Sequence, residues 1–388
     1  MHINSQSRQR QIVRGAASLF RRRGYQQVSL KELATEVGIT APALYKHFSG
    51  KSEILHAALS WGLSEVLEAI AQANAAQVSF HESLADLTEA AIEHRDLWIL
   101  IHRDLRNLDE TAQAEVRRQL REIRLAIREI LATEQPAASR DELDVRARAV
   151  IACMAAPAEY PQKSTGTALV RNIAAAAANV STVGYRTDRP PRGRMPILQP
   201  FQPRVSRREQ ILASAADLFA QRGYDAVGVT DIGGAVGISG PSVYSHFETK
   251  IEILETLMRR AVGWIEFDRA LVFAESSDPC EIFSLWVHRY AQMATSNRAL
   301  FVIYTDEIPN LPDNERRWVE RSHQDYFHSW VSLVGEVTAL KDSEANAMAS
   351  CALSVINDLS GSTKAHVHSD FVTILANIAV DLVVPVGS

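Results

Sequence analysis

The sequence predicts an all-α protein made of two similar units, and three observations predict it. Apolar residues come at three- and four-residue spacing nearly throughout, as in Ile12, Ala16, Leu19 and Phe20, and no stretch shows strict alternation. The phrase VGITAPALYKHFSGKSEIL at 37–55 returns as VGISGPSVYSHFETKIEIL at 236–254. Between them lies RTDRPPRGRMPILQPFQPR, residues 186–204, whose five prolines disfavour helix and strand alike. Aligned at a constant offset of 199, residues 8–59 and 207–258 are identical at 22 of 52 positions, which marks a duplicated domain. The echo continues faintly, Asn107–Leu108 as Asn310–Leu311 and Cys153 as Cys351, so each unit occupies about half the chain.

A chain of 388 residues is long enough for two domains, each with its own interior. With 46% apolar and 22% charged residues the composition is that of an ordinary globular protein. The net charge of -5 argues against a protein that coats nucleic acid uniformly, yet leaves room for a local basic surface. The Ala-rich IAAAAANV at 173–180 is too short to cross a bilayer, and the opening MHINSQSRQRQIV lacks the apolar core of a signal peptide, so the expected location is cytoplasmic, with no membrane partner. Cys153, Cys280 and Cys351 are scattered without C-x-x-C spacing and are expected to be buried small apolar residues. No motif calls for a cofactor, a metal or a catalytic residue.

The expected layout is a first unit at 1–185 (head about 8–59, body about 60–185), the linker at 186–204, and a second unit at 205–388 (head about 207–258, body about 259–388). The linker reads as an extended, semi-stiff spacer reaching about 60 Å at about 3.1 Å per residue. In the first head a helix from about Arg8 to Arg23 stops at Gly24, suited to a left-handed cap. Ser29 and Glu32 have the spacing of a capping box and open a second helix. Gly38 supplies a tight bend and Thr40 an N-cap for a short third helix carrying Tyr45, His47 and Phe48. A long fourth helix runs from Lys51 to about residue 75, matched by 250–274. Two short helices across a Gly-containing turn make a helix-turn-helix.

The stretch GYQQVSLKELATEVGITAPALYKHFSGKSEIL resembles the DNA-binding head of the TetR/AcrR family of transcriptional repressors. That family's pattern is an aromatic after a helix-ending Gly, then I/L-A-x-x-x-G-V/I-S/T, then Y-x-H-F-x-x-K. The pattern occurs twice, and each half of the chain resembles one complete member: a head followed by a helical body for ligand binding and dimerisation. By itself the chemistry of the third helix suits a major groove: Thr40, Ala41, Pro42 and Ala43 are small enough for close approach, and Lys46 reaches base edges or phosphate. The resemblance implies that Tyr45, His47 and Lys51 meet backbone phosphates; for Tyr45 and His47 the alternative is that they only pack the head, and for Phe48 packing is expected. The matching positions are Ser239, Gly240, Pro241, Ser242, Tyr244, Ser245, His246, Phe247 and Lys250.

The copies differ in charge. Residues 8–59 carry nine Lys or Arg against three acids, a balance of +6, whereas 207–258 carry four against seven, a balance of -3. Phosphate neutralisation supplies much of DNA affinity, so the first head is expected to bind more tightly. In the second head Gly228 replaces Ser29, and Gly233 and Gly234 replace Ala34 and Thr35; at about 1 kcal/mol per helical Gly, that head is expected to be softer.

The bodies end in Ala-rich helix pairs whose small side chains allow close packing; in the family the corresponding pair builds a four-helix dimer interface. The two units are therefore expected to pair within the chain about a pseudo-two-fold axis, a homodimer with four heads being the competing arrangement. The second body carries thirteen aromatics against five in the first (Trp61, Phe80, Trp98, Tyr160 and Tyr185). Pockets are mostly apolar and aromatic, which places the ligand site among Trp264, Phe267, Phe283, Trp286, Tyr290, Phe301, Tyr304 and Trp330, with simple core as the alternative. His366, His368 and Asp370 read as a solvated turn. The functional expectation is a DNA-binding regulator, a repressor released from double-stranded operator DNA by a small apolar or amphipathic molecule. The alternative has only the first head on DNA and the second unit as a sensing or structural module.

Overall fold

The computed structural model describes residues 2–76, 79–159, 167–180, 206–361 and 371–384, and among these the ordered elements are all helices. His366, His368, Asp370, Tyr160, Tyr185 and the expected linker lie outside the described residues. The chain divides into two compact units, Met1–Val180 and Ser181–Ser388.

In the first unit the head is α1 (His2–Arg23), α2 (Leu30–Glu36) and α3 (Ala41–Tyr45). Helix α1 starts six residues before the expected Arg8 and stops as expected, where Gly24 takes φ 84°. The capping box on α2 is formed: the Glu32 N–H donates to Ser29 Oγ (3.2 Å) and the Ser29 N–H to the Glu32 carboxylate (2.9 Å). These bonds hold the Glu32 carboxyl down to about 2. Gly38 turns the chain at φ 68°, and Thr40 Oγ1 caps α3 by accepting from the Ala43 N–H. Helix α3 ends at Tyr45, so His47 and Phe48 sit in the following turn rather than on the helix. The head closes over Ile12, Ala16, Phe20, Leu33, Leu44, Phe48 and Ile54, all buried.

Behind it come α4 (Lys51–Ala75), α5 (Phe80–Glu93), α6 (Arg95–Asp104), α7 (Glu110–Glu134), α8 (Arg140–Glu159) and α9 (Thr167–Ala177). Helix α4 departs from the sequence reading in one respect: Lys51–Ala73 is long and apolar enough, at mean hydropathy 1.2, to cross a bilayer. It packs against α1, α5, α6 and α7 and carries the head on the body. Arg103 on α6 fixes the joint, donating to the carbonyls of Phe20 (2.7 Å) and Arg21 (3.2 Å) in the last turn of α1 while Asp104 neutralises it. A cation at a helix C-terminus satisfies carbonyls that the helix leaves open.

The second unit repeats this order as α10 (Arg207–Arg222), α11 (Val229–Ala235), α12 (Gly240–Val243), α13 (Lys250–Glu275), α14 (Pro279–Ser296), α15 (Arg298–Asp306), α16 (Asp313–Thr338), α17 (Asp342–Ser360) and α18 (Phe371–Val383). Its head-to-body tie is different: Arg260 of α13 grips Glu209 of α10 through two hydrogen bonds of 2.8 and 2.9 Å. Two of its head glycines are needed where they stand. A Cβ on Gly233 would lie 2.9 Å from the Ile238 carbonyl oxygen, and one on Gly240 would lie 2.9 Å from Thr230 Oγ1. The expectation of a softened head therefore holds for Gly234, whose missing Cβ would meet nothing, and for Gly228, an N-cap with no side chain to accept a hydrogen bond. Cys153 and Cys351 are buried as expected, but Cys280, at the start of α14, is exposed.

Candidate functional site

In the first head α3 presents Thr40, Pro42, Tyr45 and Lys46 outward, with Ala41, Ala43 and His47 partly covered and Leu44 and Phe48 inside. Tyr45 is 57% exposed, too open for a packing role. The surface is low and small-residued around one long cation, which fits close approach to a groove. The second head repeats the arrangement with Tyr244 at 54% exposure and Phe247 buried. There, however, the hydroxyls satisfy one another: Ser239 Oγ and Ser242 Oγ are 2.7 Å apart, and Ser245 donates to the Ser242 carbonyl at 2.7 Å. Gly240 is buried against Thr230, so it offers little surface.

Lys51 and Lys250, placed at phosphates by the family pattern, have their ammonium groups turned inward. Lys51 Nζ donates to the carbonyls of Tyr25 (2.8 Å), Val28 (3.0 Å) and Gln26 (3.3 Å) and lies 4.3 Å from the Tyr25 ring centroid. Lys250 Nζ donates to Tyr224 (2.8 Å) and Val227 (3.0 Å) and lies 4.0 Å from the Tyr224 ring centroid. An ammonium has three hydrogens, so Lys51 as placed has used its set to clamp the loop between α1 and α2 onto the start of α4. Burial lowers the Lys250 pKa and raises that of the Tyr224 hydroxyl to about 12.

The remaining cations separate the heads. Arg21, Arg22 and Arg23, the longest basic run, are each paired, with Asp96, Glu36 and Glu32. Arg14 pairs with Glu93 and Arg8 bonds to Gln11. That leaves Arg10, Lys31 and Lys46, all exposed and none in an ion pair among the described residues. Arg10 and Lys31 escaped the reading by motif, and no local mark separates them from Arg14 or Arg21–Arg23, which also lack an acid three or four residues away but find one on another helix. In the second head every Lys or Arg is engaged internally. Arg207 bonds to Gln210 and the Val236 carbonyl, Arg208 faces Glu252 and the Phe247 ring, and Arg222 faces Asp231 and the Ala226 carbonyl.

The aromatics expected at a ligand site fall into three groups. Phe283, Trp286, Tyr290 and Trp330 are core: the Trp286 and Trp330 rings stack at 3.9 Å and 11°, and Phe283 and Tyr290 meet Trp330 edge-on. Their mutual packing makes them part of the core, the alternative that the sequence left open. Phe267 is 64% exposed on the outer side of α13. Trp264, Phe301 and Tyr304 do line a cleft, with Ala261, Ile265, Met293, Asn297 and Leu300, around about 250 Å³ of empty space including its open mouth. The five added residues carry no aromatic signal and become visible only when α13, α14 and α15 are brought together.

The family profile described as bacterial regulatory proteins, tetR family, matches this chain at residues 12–58 and again at 211–257. The HTH-type transcriptional repressor KstR2 of Mycolicibacterium smegmatis is 32% identical over 149 residues, 36% of this chain and 68% of that protein. The HTH-type transcriptional activator FasR of the same species is 40% identical over 60 residues, 16% of this chain and 27% of that protein. A crystal structure of a TetR-family regulator from Bordetella parapertussis overlays with TM-score 0.43 at 20% identity, covering 46% of this chain and 94% of that one.

Proposed function

This chain belongs to the tetR family of bacterial regulatory proteins, and on that premise we propose that its first head is the main reader of operator DNA and its second unit the sensor of a small apolar or amphipathic molecule. The observation that carries the reading is the distribution of uncompensated charge. Arg10, Lys31 and Lys46 stand exposed and unpaired around the first helix-turn-helix, whereas the cations of the second head are spent on internal partners. Each cation that reaches a phosphate releases condensed counterions, so unpaired cations decide affinity.

In this reading Thr40, Ala41, Pro42, Ala43 and Lys46 face base edges and Tyr45 and His47 the flanking phosphates. Ser239, Gly240, Ser242, Tyr244, Ser245 and His246 make a second, weaker contact surface. Lys51 and Lys250 act by holding the heads in shape. In the same reading the two units pair within the chain, so the operator has two unlike half-sites. Repression is favoured over activation because the longer match is to a repressor, KstR2, and the match to the activator FasR covers little beyond a head.

A second reading has two chains on a palindrome with only the first heads bound; Ser245 in the place of Lys46, which leaves the second recognition segment without a cation, favours it. The mass of the complex on duplexes selected from a randomised pool separates the two. One chain on an unsymmetrical sequence supports pairing within the chain, and two chains on a palindrome support the homodimer.

A further inference from the structure

We propose that, independently of DNA or any small ligand, the outer face of α13 is the docking surface for residues 195–203, the apolar part of the linker that leads into the second head.

Comparison of the units locates the face. Gly263, Phe267, Ala270, Leu271 and Ala274 fall at helical spacing on α13 and are all exposed, Phe267 at 64% and Leu271 at 38%. In the first unit the same positions, at the offset of 199, are Ser64, Glu68, Ala71, Gln72 and Ala75. Where α4 shows water a serine, a glutamate and a glutamine, α13 shows it a glycine, a phenylalanine and a leucine. Phe273, the other exposed aromatic of this helix, lies off the stripe and meets the Trp286 ring edge-on. Single exposed apolar residues are ordinary, but a contiguous stripe confined to one of two duplicated helices marks a contact surface.

The course of the chain selects the occupant. Arg260, Phe267, Leu271 and Ala274 share one side of α13, because steps of seven, eleven and fourteen residues return to the same face. Arg260 holds Glu209, in the first turn of α10, through bonds of 2.8 and 2.9 Å. The chain that enters α10 at its N-cap Ser206 therefore arrives at the foot of the stripe. Just before it stands MPILQPFQP, with Met195, Ile197, Leu198 and Phe201 and no charge. At about 3.1 Å per residue an extended chain carries Phe201 about 15 Å and Leu198 about 25 Å from Ser206. At about 1.5 Å per residue along the helix, Phe267 and Ala274 lie about 10 and about 21 Å beyond Arg260, within that reach.

Charge agrees with this choice. Glu266 and Glu275 stand on opposite flanks of the stripe, exposed and without a hydrogen bond or ion pair among the described residues. The apolar stretch is bracketed by cations, Arg192 and Arg194 before it and Arg204 after it, and no acid occurs from 189 to 208. Five residues, three of them Gly or Ala, offer far less than the about 800 Å² that each partner of a stable complex buries, so the face suits one strand of chain better than a second protein. Docking leaves residues 186–194 as the tether, which reaches about 30 Å at about 3.1 Å per residue, half of what the whole linker spans.

The test is limited trypsin digestion of the full chain, timed at the bonds that follow Arg194 and Arg204. Phe267→Glu with Leu271→Gln gives α13 the residues of the first unit and should speed both cuts about ten-fold, because cleavage tracks the population in which the segment is released. Replacing Ile197, Leu198 and Phe201 together by Ser should do the same, and combining the two sets should add nothing further. A second measurement needs no disruption of the face: in a chain carrying Cys280→Ser, the pair Phe201→Cys, Ala270→Cys should form a disulfide on mild oxidation, and the pair Phe201→Cys, Ala71→Cys should not. Unchanged cleavage in the α13 variant, effects of the two sets that multiply, or equal crosslinking of both cysteine pairs overturns the proposal. A solution mass that falls from two chains to one in the α13 variant, with cleavage unchanged, overturns it too and assigns the face to a second copy.

Discussion

The two heads share a core and differ in what they do with their charge. Ile12, Phe20, Leu44 and Phe48 have buried counterparts in Ile211, Phe219, Val243 and Phe247, and the lysine clamp recurs with the same loop carbonyls as acceptors. What duplication has left free to change is the surface. The first head keeps three cations unpaired, and the second has turned each of its own inward or against an acid. Formal charge alone overstates the contrast in one place and understates it in another. The conspicuous run Arg21–Arg23 is neutralised by Asp96, Glu36 and Glu32, while the isolated Arg10 and Lys31 are open.

The comparison breaks first at those three residues. Replacing Arg10, Lys31 and Lys46 together by Ala should lower DNA affinity about 100-fold near 0.1 M salt and flatten the salt dependence by up to about three. The same treatment of Ser239, Ser242 and Ser245 should change affinity several-fold at most, as a binding titration across salt concentrations will show.

Next come the clamps, where the heads should respond alike because the geometry is alike. Lys51→Met and Lys250→Met each strand loop carbonyls and remove a cation over a ring, at about 2 kcal/mol of stability. Denaturant unfolding should show the larger loss for Lys51, which serves three carbonyls against two. A loss of DNA affinity with stability unchanged would instead return Lys51 to the phosphates.

Acid should separate the units. His323 has its folded pKa pulled from 6.5 to about 4 by burial, and that of His288 is also lowered. Such groups bind protons more readily when unfolded, so the stability they support is complete above about pH 6.5 and is lost as pH falls through about 4. His323→Phe should flatten this slope in the second unit, removing about 3 kcal/mol of pH dependence.

The smallest effects test the glycines. Gly233→Ala should cost about 1 kcal/mol or more, because its Cβ meets backbone. Gly234→Ala should gain about 0.5–1 kcal/mol, because its Cβ meets nothing.

The heads were legible in the sequence because their determinants are local. A capping box, a positive-φ glycine and an N-cap threonine each act within four residues, and Ser29, Gly38 and Thr40 all do what their spacing implies. What was not legible depends on partners far apart in the chain. Gly233 reads as softening until the Ile238 carbonyl is seen against it. Lys51 meets residues 23 to 26 positions away, and Arg21 meets Asp96 on another helix. Aromatic composition does not distinguish Trp286 and Trp330, stacked on each other, from Trp264, which lines a cleft.

The most direct test of the central claim is an exchange of recognition segments. Thr40–Lys46 of the first head is replaced by the second head's Ser239–Ser245 sequence, and the affinity of the full chain is measured on the duplex that wild type selects. If the first head reads the operator, affinity falls about 100-fold and the selected sequence is no longer enriched. Unchanged affinity and an unchanged selected sequence would contradict the account and assign the reading to the second head.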